Sequence, residues 1–85
     1  MFARKLRLEL KEAGTARPAP KDWMDQFFMR NFIGLSAFDQ TLVTGEGEME
    51  TGLEVDPSQV QQEFEKWLRL RKLIGPQTRL EVRVQ

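Results

Sequence analysis

The chain has 85 residues, with 13 Lys and Arg against 13 Asp and Glu, and its formal net charge is zero. It contains no histidine, cysteine or tyrosine, which excludes disulfide bonds, zinc fingers, iron–sulfur ligation and every catalytic triad or dyad built on imidazole or thiolate. A chain this short predicts one domain, over residues 1–85, with a small core and no large substrate cavity.

The first residues carry charge where a secretory signal needs a continuous apolar stretch. The longest apolar-rich window, residues 23–35, is interrupted by polar side chains and is far shorter than the roughly 20 apolar residues of a membrane span. We therefore expect a cytoplasmic protein with no membrane-spanning segment.

Apolar residues alternate with charged ones from Leu6 to Leu10, and this period of two predicts a strand over residues 2–12. A glycine and two prolines then predict a connecting loop over residues 13–20. A helix is predicted over residues 21–33, with Gly34 placed to end it. One broad stripe at helical spacing contains Trp23, Met24, Phe27, Phe28 and Asn31.

Further apolar residues extend round the far side of this helix, namely Met29, Phe32 and Ile33. Either neighbouring segments cover them, or they form an exposed patch that binds another protein or a second copy of the chain.

A hairpin is predicted next, with strands over residues 38–44 and 48–55 that turn on the glycines of Gly45–Gly47. Phe38, Gln40 and Leu42 alternate with Asp39, Thr41 and Val43, and Asp39 is placed outward. The hairpin carries four acidic residues, Glu46, Glu48, Glu50 and Glu54. Their spacing does not match a calcium-binding loop, so we expect a solvated or partner-facing acidic surface and no metal or cofactor.

Asp56 and Pro57 are typical of a helix start and predict a second helix over residues 57–74, followed by a last strand over residues 78–85. The end of this helix is basic, with Lys66, Arg69, Arg71 and Lys72. These cations either complement the helix dipole or, together with Lys5 and Arg7 of the first strand, form a basic surface for phosphate.

The predicted order is β-α-β-β-α-β, which indicates an α+β, ferredoxin-like two-layer sandwich. Right-handed crossovers would give an antiparallel sheet in the strand order 4-1-3-2 with both helices on one face. The alternative is an irregular α+β layer in which residues 38–44 do not form a strand.

The open face of such a sheet is split by sign, with cations on the first strand beside glutamates of the third. One interpretation is cross-strand pairing of Lys5, Arg7 and Lys11 with those glutamates. The other is that the charges are presented to a partner. Base stacking of RNA on this face is not expected, because the central strands carry charged residues where aromatic ones are needed.

Between Trp23 and Leu73 the sequence resembles the YggL-type small proteins that associate with the large ribosomal subunit. The likeness rests on Asp25-Gln26-Phe27, on Leu35-Ser36-Ala37-Phe38-Asp39, on the glycine hairpin, on Lys66-Trp67-Leu68 and on Arg71-Lys72-Leu73. The present sequence lacks the longer basic leader and the acidic-aromatic end of that family. The resemblance implies ribosome association through the basic residues 69–72.

The sequence favours a non-enzymatic module that binds another protein, as a small regulator or inhibitor of the kind phages and mobile elements encode, or as a subunit of a larger assembly. Homodimerisation is compatible with this. The alternative is a ribosome- or nucleic-acid-associated protein that contacts phosphate through the basic end of the second helix and the first strand. Ser36 and Ser58 have no base to activate them, so catalysis is not predicted.

Overall fold

The computed structural model describes residues 2–28 and 41–85. Within them an α+β fold is formed by β1 (Ala3–Glu12), β2 (Thr15–Pro18), α1 (Lys21–Gln26), β3 (Leu42–Gly45), β4 (Glu48–Val55), α2 (Pro57–Leu70) and β5 (Arg79–Val84). None of the helices described there is long and apolar enough to cross a membrane.

Strand β1 lies at the centre of a five-stranded antiparallel sheet. Along one edge it pairs with β5, from Leu6 opposite Val84 to Lys11 opposite Arg79. The other edge is shared, since β4 pairs with the first half of β1 and β2 with the second half. Strand β3 pairs with the outer side of β4.

The predicted neighbours are confirmed, because the order 4-1-3-2 corresponds to β5-β1-β4-β3. The ferredoxin-like connectivity is not a clean match, and the predicted loop over residues 13–20 is wrong in part. Strand β2 forms there as an extra strand and reverses the chain before α1, so the predicted direct connection from β1 to the first helix is replaced by a hairpin. Strand β4 runs antiparallel to β1, as the predicted order also requires. The crossover through α2 joins β4 and β5, which run parallel to each other on either side of β1.

The turn between β1 and β2 explains why a strand follows a glycine so closely. Ala13 and Gly14 both have positive φ, 50° and 83°, as two-residue hairpin turns require. Pro18 ends β2 on an edge of the sheet, where its missing N–H costs no ladder hydrogen bond.

The β1–β2 hairpin and the β3–β4 hairpin meet at Gly47. At this point along β1, the neighbouring strand changes from β4 to β2. The Leu8 N–H donates to the Gly47 carbonyl (2.7 Å), the Gly47 N–H donates to the Ala19 carbonyl (2.8 Å), and the Ala19 N–H donates to the Leu8 carbonyl (3.0 Å). Gly47 has φ +70°, and a Cβ there would stand 2.6 Å from the Leu8 carbonyl oxygen and 2.8 Å from Pro18 Cβ. Only glycine fits this junction.

One hydrophobic core fills the space between the sheet and both helices. The leucines of β1 are fully buried there, as predicted, and the ring of Phe27, which directly follows α1, stacks on that of Phe64 from α2 at 4.7 Å. In β3 the predicted alternation of inward and outward side chains is wrong, since Val43 is buried and Leu42 is 61% exposed. The register shifts between Val43 and Gly45, which sets Val43 opposite the buried Met49.

Helix α2 begins as predicted, since the Asp56 carboxylate accepts a hydrogen bond from the Ser58 N–H at 3.0 Å. It ends at Leu70, four residues before the predicted end at position 74. Lys72 takes a left-handed conformation with φ 58°, its N–H donates to the Arg69 carbonyl, and the Leu73 N–H donates to the Leu68 carbonyl. This pair of bonds is a Schellman motif, with lysine where glycine is usual.

Candidate protein-interaction surface

The open face of the sheet carries ion pairs that cross β4, β1 and β5, so the predicted cross-strand pairing is confirmed for Lys5 and Arg7. Lys11 pairs with β5 instead of β4. The pairs are Lys5–Glu50 (3.7 Å), Arg7–Glu48 (3.1 Å), Arg7–Glu9 (3.8 Å), Lys11–Glu81 (2.7 Å), Arg83–Glu81 (3.3 Å) and Arg83–Glu9. Much of the charge that composition places on this face is therefore satisfied within it.

Between β1 and β5 the register sets like charges directly opposite each other. Arg7 stands opposite Arg83, and Glu9 stands opposite Glu81. Directly opposed like charges destabilise a sheet, whereas diagonal neighbours at about 7–8 Å are within reach of long side chains. The ion pairs accordingly run diagonally, from Arg83 to Glu9 and from Lys11 to Glu81.

The four acidic residues of the hairpin have different surroundings. Glu48 and Glu50 pair with β1, and Glu46 accepts a hydrogen bond from the Lys21 N–H at 2.6 Å, at the first turn of α1. Glu54 is exposed, and no ion pair to it is formed among the described residues. The hairpin is therefore tied into the fold by three of its four acids.

The cations at the end of α2 divide into those engaged within the fold and those left exposed. Arg69 donates to the carbonyl oxygens of Gly75 (2.9 Å) and Thr78 (2.6 Å), so it fastens the segment after the helix. Arg71 lies over the Trp67 ring, 4.7 Å from its centroid. Two further cations are exposed and form no ion pair within the part of the chain that the structure describes, namely Lys66 and Lys72.

The sequence did not predict that Glu65 links α2 to β5 through hydrogen bonds. One oxygen of Glu65 accepts from Arg69 (3.3 Å), and the other accepts from the Leu80 N–H (2.8 Å). The spacing of four residues between Glu65 and Arg69 was a signal for their ion pair. Nothing in the sequence indicated the bond to Leu80, because it joins residues from two different elements.

Three strands, β2, β3 and β5, each have one edge that pairs with no other described strand, and the outer edge of β5 leaves backbone groups without partners among the described residues. The Gln85 N–H donates to the Lys5 carbonyl of β1, whereas the Leu80 N–H points away from β1 to Glu65. Since alternate residues of a strand present their backbone groups to the same edge, Val82 and Val84 face outward with Leu80. No partner for their N–H groups is found in residues 2–28 and 41–85, and the Val84 side chain is 48% exposed.

Two groups at the surface, Glu81 and Lys21, have shifted pKa values. A hydrogen bond from Lys11 lowers the pKa of the Glu81 carboxyl below 4.5, helped by the charges of Lys11 and Arg83. A hydrogen bond to Asp25 raises the pKa of Lys21 above 10.5. Both shifts come from ion pairs on the surface and do not mark a buried catalytic group.

No cluster of three or more potential metal-binding side chains occurs among the described residues. A shallow hollow of about 430 Å³ lies between the β1–β2 turn and Arg79, and all its lining residues are exposed, so it does not shield a ligand from water. The predicted apolar patch of Met29, Phe32 and Ile33, and Ser36, lie outside the described residues.

Comparisons with protein-family models, with curated protein sequences and with solved structures found no match to this chain. Function is therefore inferred from the geometry of the fold and its surface.

Proposed function

We propose that this chain is a non-enzymatic protein-binding module, a small regulator or inhibitor or a subunit of a larger assembly, that takes up an extended segment of its partner along β5. The observation that carries the proposal is the outer edge of β5, where the N–H groups of Val82 and Val84 have no partner in the part of the chain described. In strand addition the main-chain hydrogen bonds supply affinity, and side chains at alternate positions supply specificity.

The edge is open over only part of its length. Glu65 covers the Leu80 N–H and Arg69 covers the Thr78 carbonyl, which protects the beginning of β5. The described residues beyond Leu80 include no proline, bulge or inward-pointing charge of the kind that blunts exposed edges. A partner strand would therefore align beside residues 82–84.

The open face supports a docking site less well. Its charges already pair with one another, and a partner seated there would have to desolvate those pairs while replacing interactions worth about 0.2–1 kcal/mol each. The patch of Met29, Phe32 and Ile33 stays a prediction and is the natural comparison surface in the experiment below.

Nucleic-acid or ribosome association is the second candidate, and the exposed cations Lys66, Arg71 and Lys72 near the end of α2 favour it. Arg69, Lys5 and Arg7 are engaged within the fold, so the basic surface is smaller than composition indicates. The resemblance to YggL-type proteins points the same way and stays a prediction. A gel shift at low salt, and sedimentation with ribosomes, would detect such binding by its loss as salt rises.

The test of strand addition compares Val82→Pro with Val82→Ala. Both change the side chain, but only proline removes the outward N–H, and the β1–β5 ladder does not use that N–H. A partner recovered by affinity purification and then purified should bind the alanine variant, and should lose at least about tenfold in affinity for the proline variant.

Hydrogen exchange gives a second readout of the same proposal. The amides of Val82 and Val84 should exchange quickly in the free protein and slow down in the complex, whereas the amide of Arg83, which faces β1, should be protected in both. If a folded Val82→Pro variant binds its partner normally, while Met29→Glu with Phe32→Glu abolishes binding, the edge is not the site and the helix patch is.

A further inference from the structure

We infer that the extended segment which β5 takes up is β5 of a second copy of this chain, in an antiparallel pair centred on Val82. This inference rests on the proposed use of the β5 edge and identifies its occupant. It follows from the order of side chains along the strand, which is self-complementary about that residue.

Consider two β5 strands running antiparallel about a two-fold axis at Val82. Residues at equal distances before and after Val82 then stand opposite each other, so Glu81 faces Arg83 of the copy and Arg83 faces Glu81 of the copy. Opposite charges in direct cross-strand positions stabilise a sheet. The same register sets Leu80 opposite the half-exposed Val84 of the copy, and Val82 opposite its own equivalent.

The backbone geometry selects the same register. Only the residues that present their N–H and C=O outward, Val82 and Val84 with the Leu80 carbonyl, can form the new ladder. Pairing Val82 with Val82 of the copy, and Val84 with Leu80 of the copy, uses these groups. A shift by two residues, which would pair Val82 with Val84, sets Arg83 opposite Arg83 and replaces attraction by repulsion.

Glu65 limits the length of the ladder. Its carboxylate holds the Leu80 N–H at 2.8 Å, where the carbonyl of Val84 from the copy would otherwise dock. The backbone hydrogen bonds that remain are those exchanged between the two Val82 residues and those from the Val84 N–H groups to the Leu80 carbonyls. An interface of this size belongs to the small, reversible class, so the monomer and the dimer should interconvert with concentration.

The dimer would continue one sheet across the axis. Because the two-fold axis of such a pair stands perpendicular to the sheet, both helical layers lie on the same side and both charged faces lie on the other. The ion pairs of the open face then extend from Glu81 and Arg83 of one chain into those of the copy.

The experiment is sedimentation equilibrium over a concentration series with four proteins: the natural chain, Val82→Pro, Glu81→Arg and Arg83→Glu. The natural chain should pass from monomer to dimer. Proline should abolish the dimer, and each charge reversal should weaken it by about tenfold, because it sets like charges opposite each other at two symmetric positions.

Mixing the two charge-reversed variants is the decisive step. In the mixture, positions 81 and 83 are both basic in the Glu81→Arg chain and both acidic in the Arg83→Glu chain. Opposite charges therefore face each other again, so a heterodimer should form at about the concentration that dimerises the natural chain. Each variant still lacks internal ion pairs: Lys11–Glu81 is lost in one, Arg83–Glu9 in the other, and Arg83–Glu81 in both. Recovery would therefore arise from contacts between chains, and circular dichroism checks that each variant is folded.

A dimer that survives Val82→Pro, or one that mixing does not restore, overturns the β5 pairing. A natural chain that stays monomeric up to about 1 mM overturns it as well. In that case, loss of a different protein partner with Val82→Pro would show that the edge binds a strand from elsewhere and that the proposed function stands. If Val82→Pro affects neither self-association nor partner binding, both proposals fail.

Discussion

Replacing Gly47 by alanine should be among the most damaging single changes in the sheet. The substitution acts in two ways, since alanine must adopt a φ near +70° and its Cβ must enter a space already occupied by Leu8 and Pro18. The matched control is Gly14→Ala, which also has a positive φ of 83° but meets no atom within 4 Å.

The expected magnitudes follow from this comparison. A left-handed alanine costs about 1–2 kcal/mol, partly offset by the lower entropy of the unfolded chain, so Gly14→Ala should destabilise by about 1 kcal/mol. At Gly47 the added Cβ would also lie 2.6 Å from the Leu8 carbonyl oxygen, so the two backbone segments must move apart. This movement breaks the two hydrogen bonds of Gly47, each of which contributes about 1 kcal/mol. The total there is about 3 kcal/mol.

Urea unfolding followed by the fluorescence of Trp23 and Trp67 measures this difference. A domain of this length has a stability of about 4–13 kcal/mol, so Gly47→Ala removes a large part of it. With a slope near 1 kcal/mol per molar urea, the midpoint should fall about 2 M below that of Gly14→Ala. A difference under about 0.5 kcal/mol between the two variants would refute the idea that crowding at the junction matters.

Three further changes test other parts of the fold. Lys72→Gly should raise the free energy of unfolding by about 0.5–1 kcal/mol because it relieves the left-handed conformation at the end of α2, whereas Lys72→Ala, which removes the charged side chain but keeps the Cβ, should not. Glu65→Ala should destabilise by about 1–3 kcal/mol in thermal or urea unfolding because the Leu80 N–H loses its acceptor, and Glu65→Gln, which keeps an acceptor oxygen, should cost less. The Glu81 carboxyl should titrate below 4.5 by NMR, and Lys11→Met should raise its pKa toward that value. Because the folded pKa is the lower one, the contribution of this pair to stability is present above pH 4.5 and lost as the pH falls through the folded pKa, and an unchanged pKa in Lys11→Met would contradict the assignment.

The parts of the fold that the sequence predicts are those set by local pattern. The leucines of β1 alternate because one face of that strand is buried, and Asp56 with Pro57 satisfies the first turn of α2 wherever the helix packs. The end of the same helix was predicted too late, since apolar residues continue to Ile74 while Lys72 turns the chain.

Strand β2 was not predicted because proline ordinarily signals a break. Pro18 is compatible with a strand only at a sheet edge, and whether a segment lies at an edge depends on which strands surround it. The prediction of which β3 side chains face the core was wrong for a similar reason, since the register shift before Gly45 exchanges the faces of Val43 and Leu42.

On the candidate surface too, some features follow from local pattern and others depend on which elements the fold brings together. Alternation placed the charges of β1 and β5 on the open face, but only the register decides that Lys11 meets Glu81 and not an acid of β4. In the sequence, Arg69 is only one of several cations near the end of a helix. Its role as a clamp arises because the segment after the helix folds back over it.

The central position of β1 also sets the order in which the sheet can assemble. Leu6 pairs with Val84, so the longest ladder joins residues separated by almost the whole chain. The hairpins β1–β2 and β3–β4 close short loops at little entropic cost, whereas this ladder must first close a loop that spans both of them and α2. The sheet should therefore be complete only once β5 has docked. Until then one edge of β1 stays open and exposes the same template for strand pairing that the folded protein presents along residues 82–84.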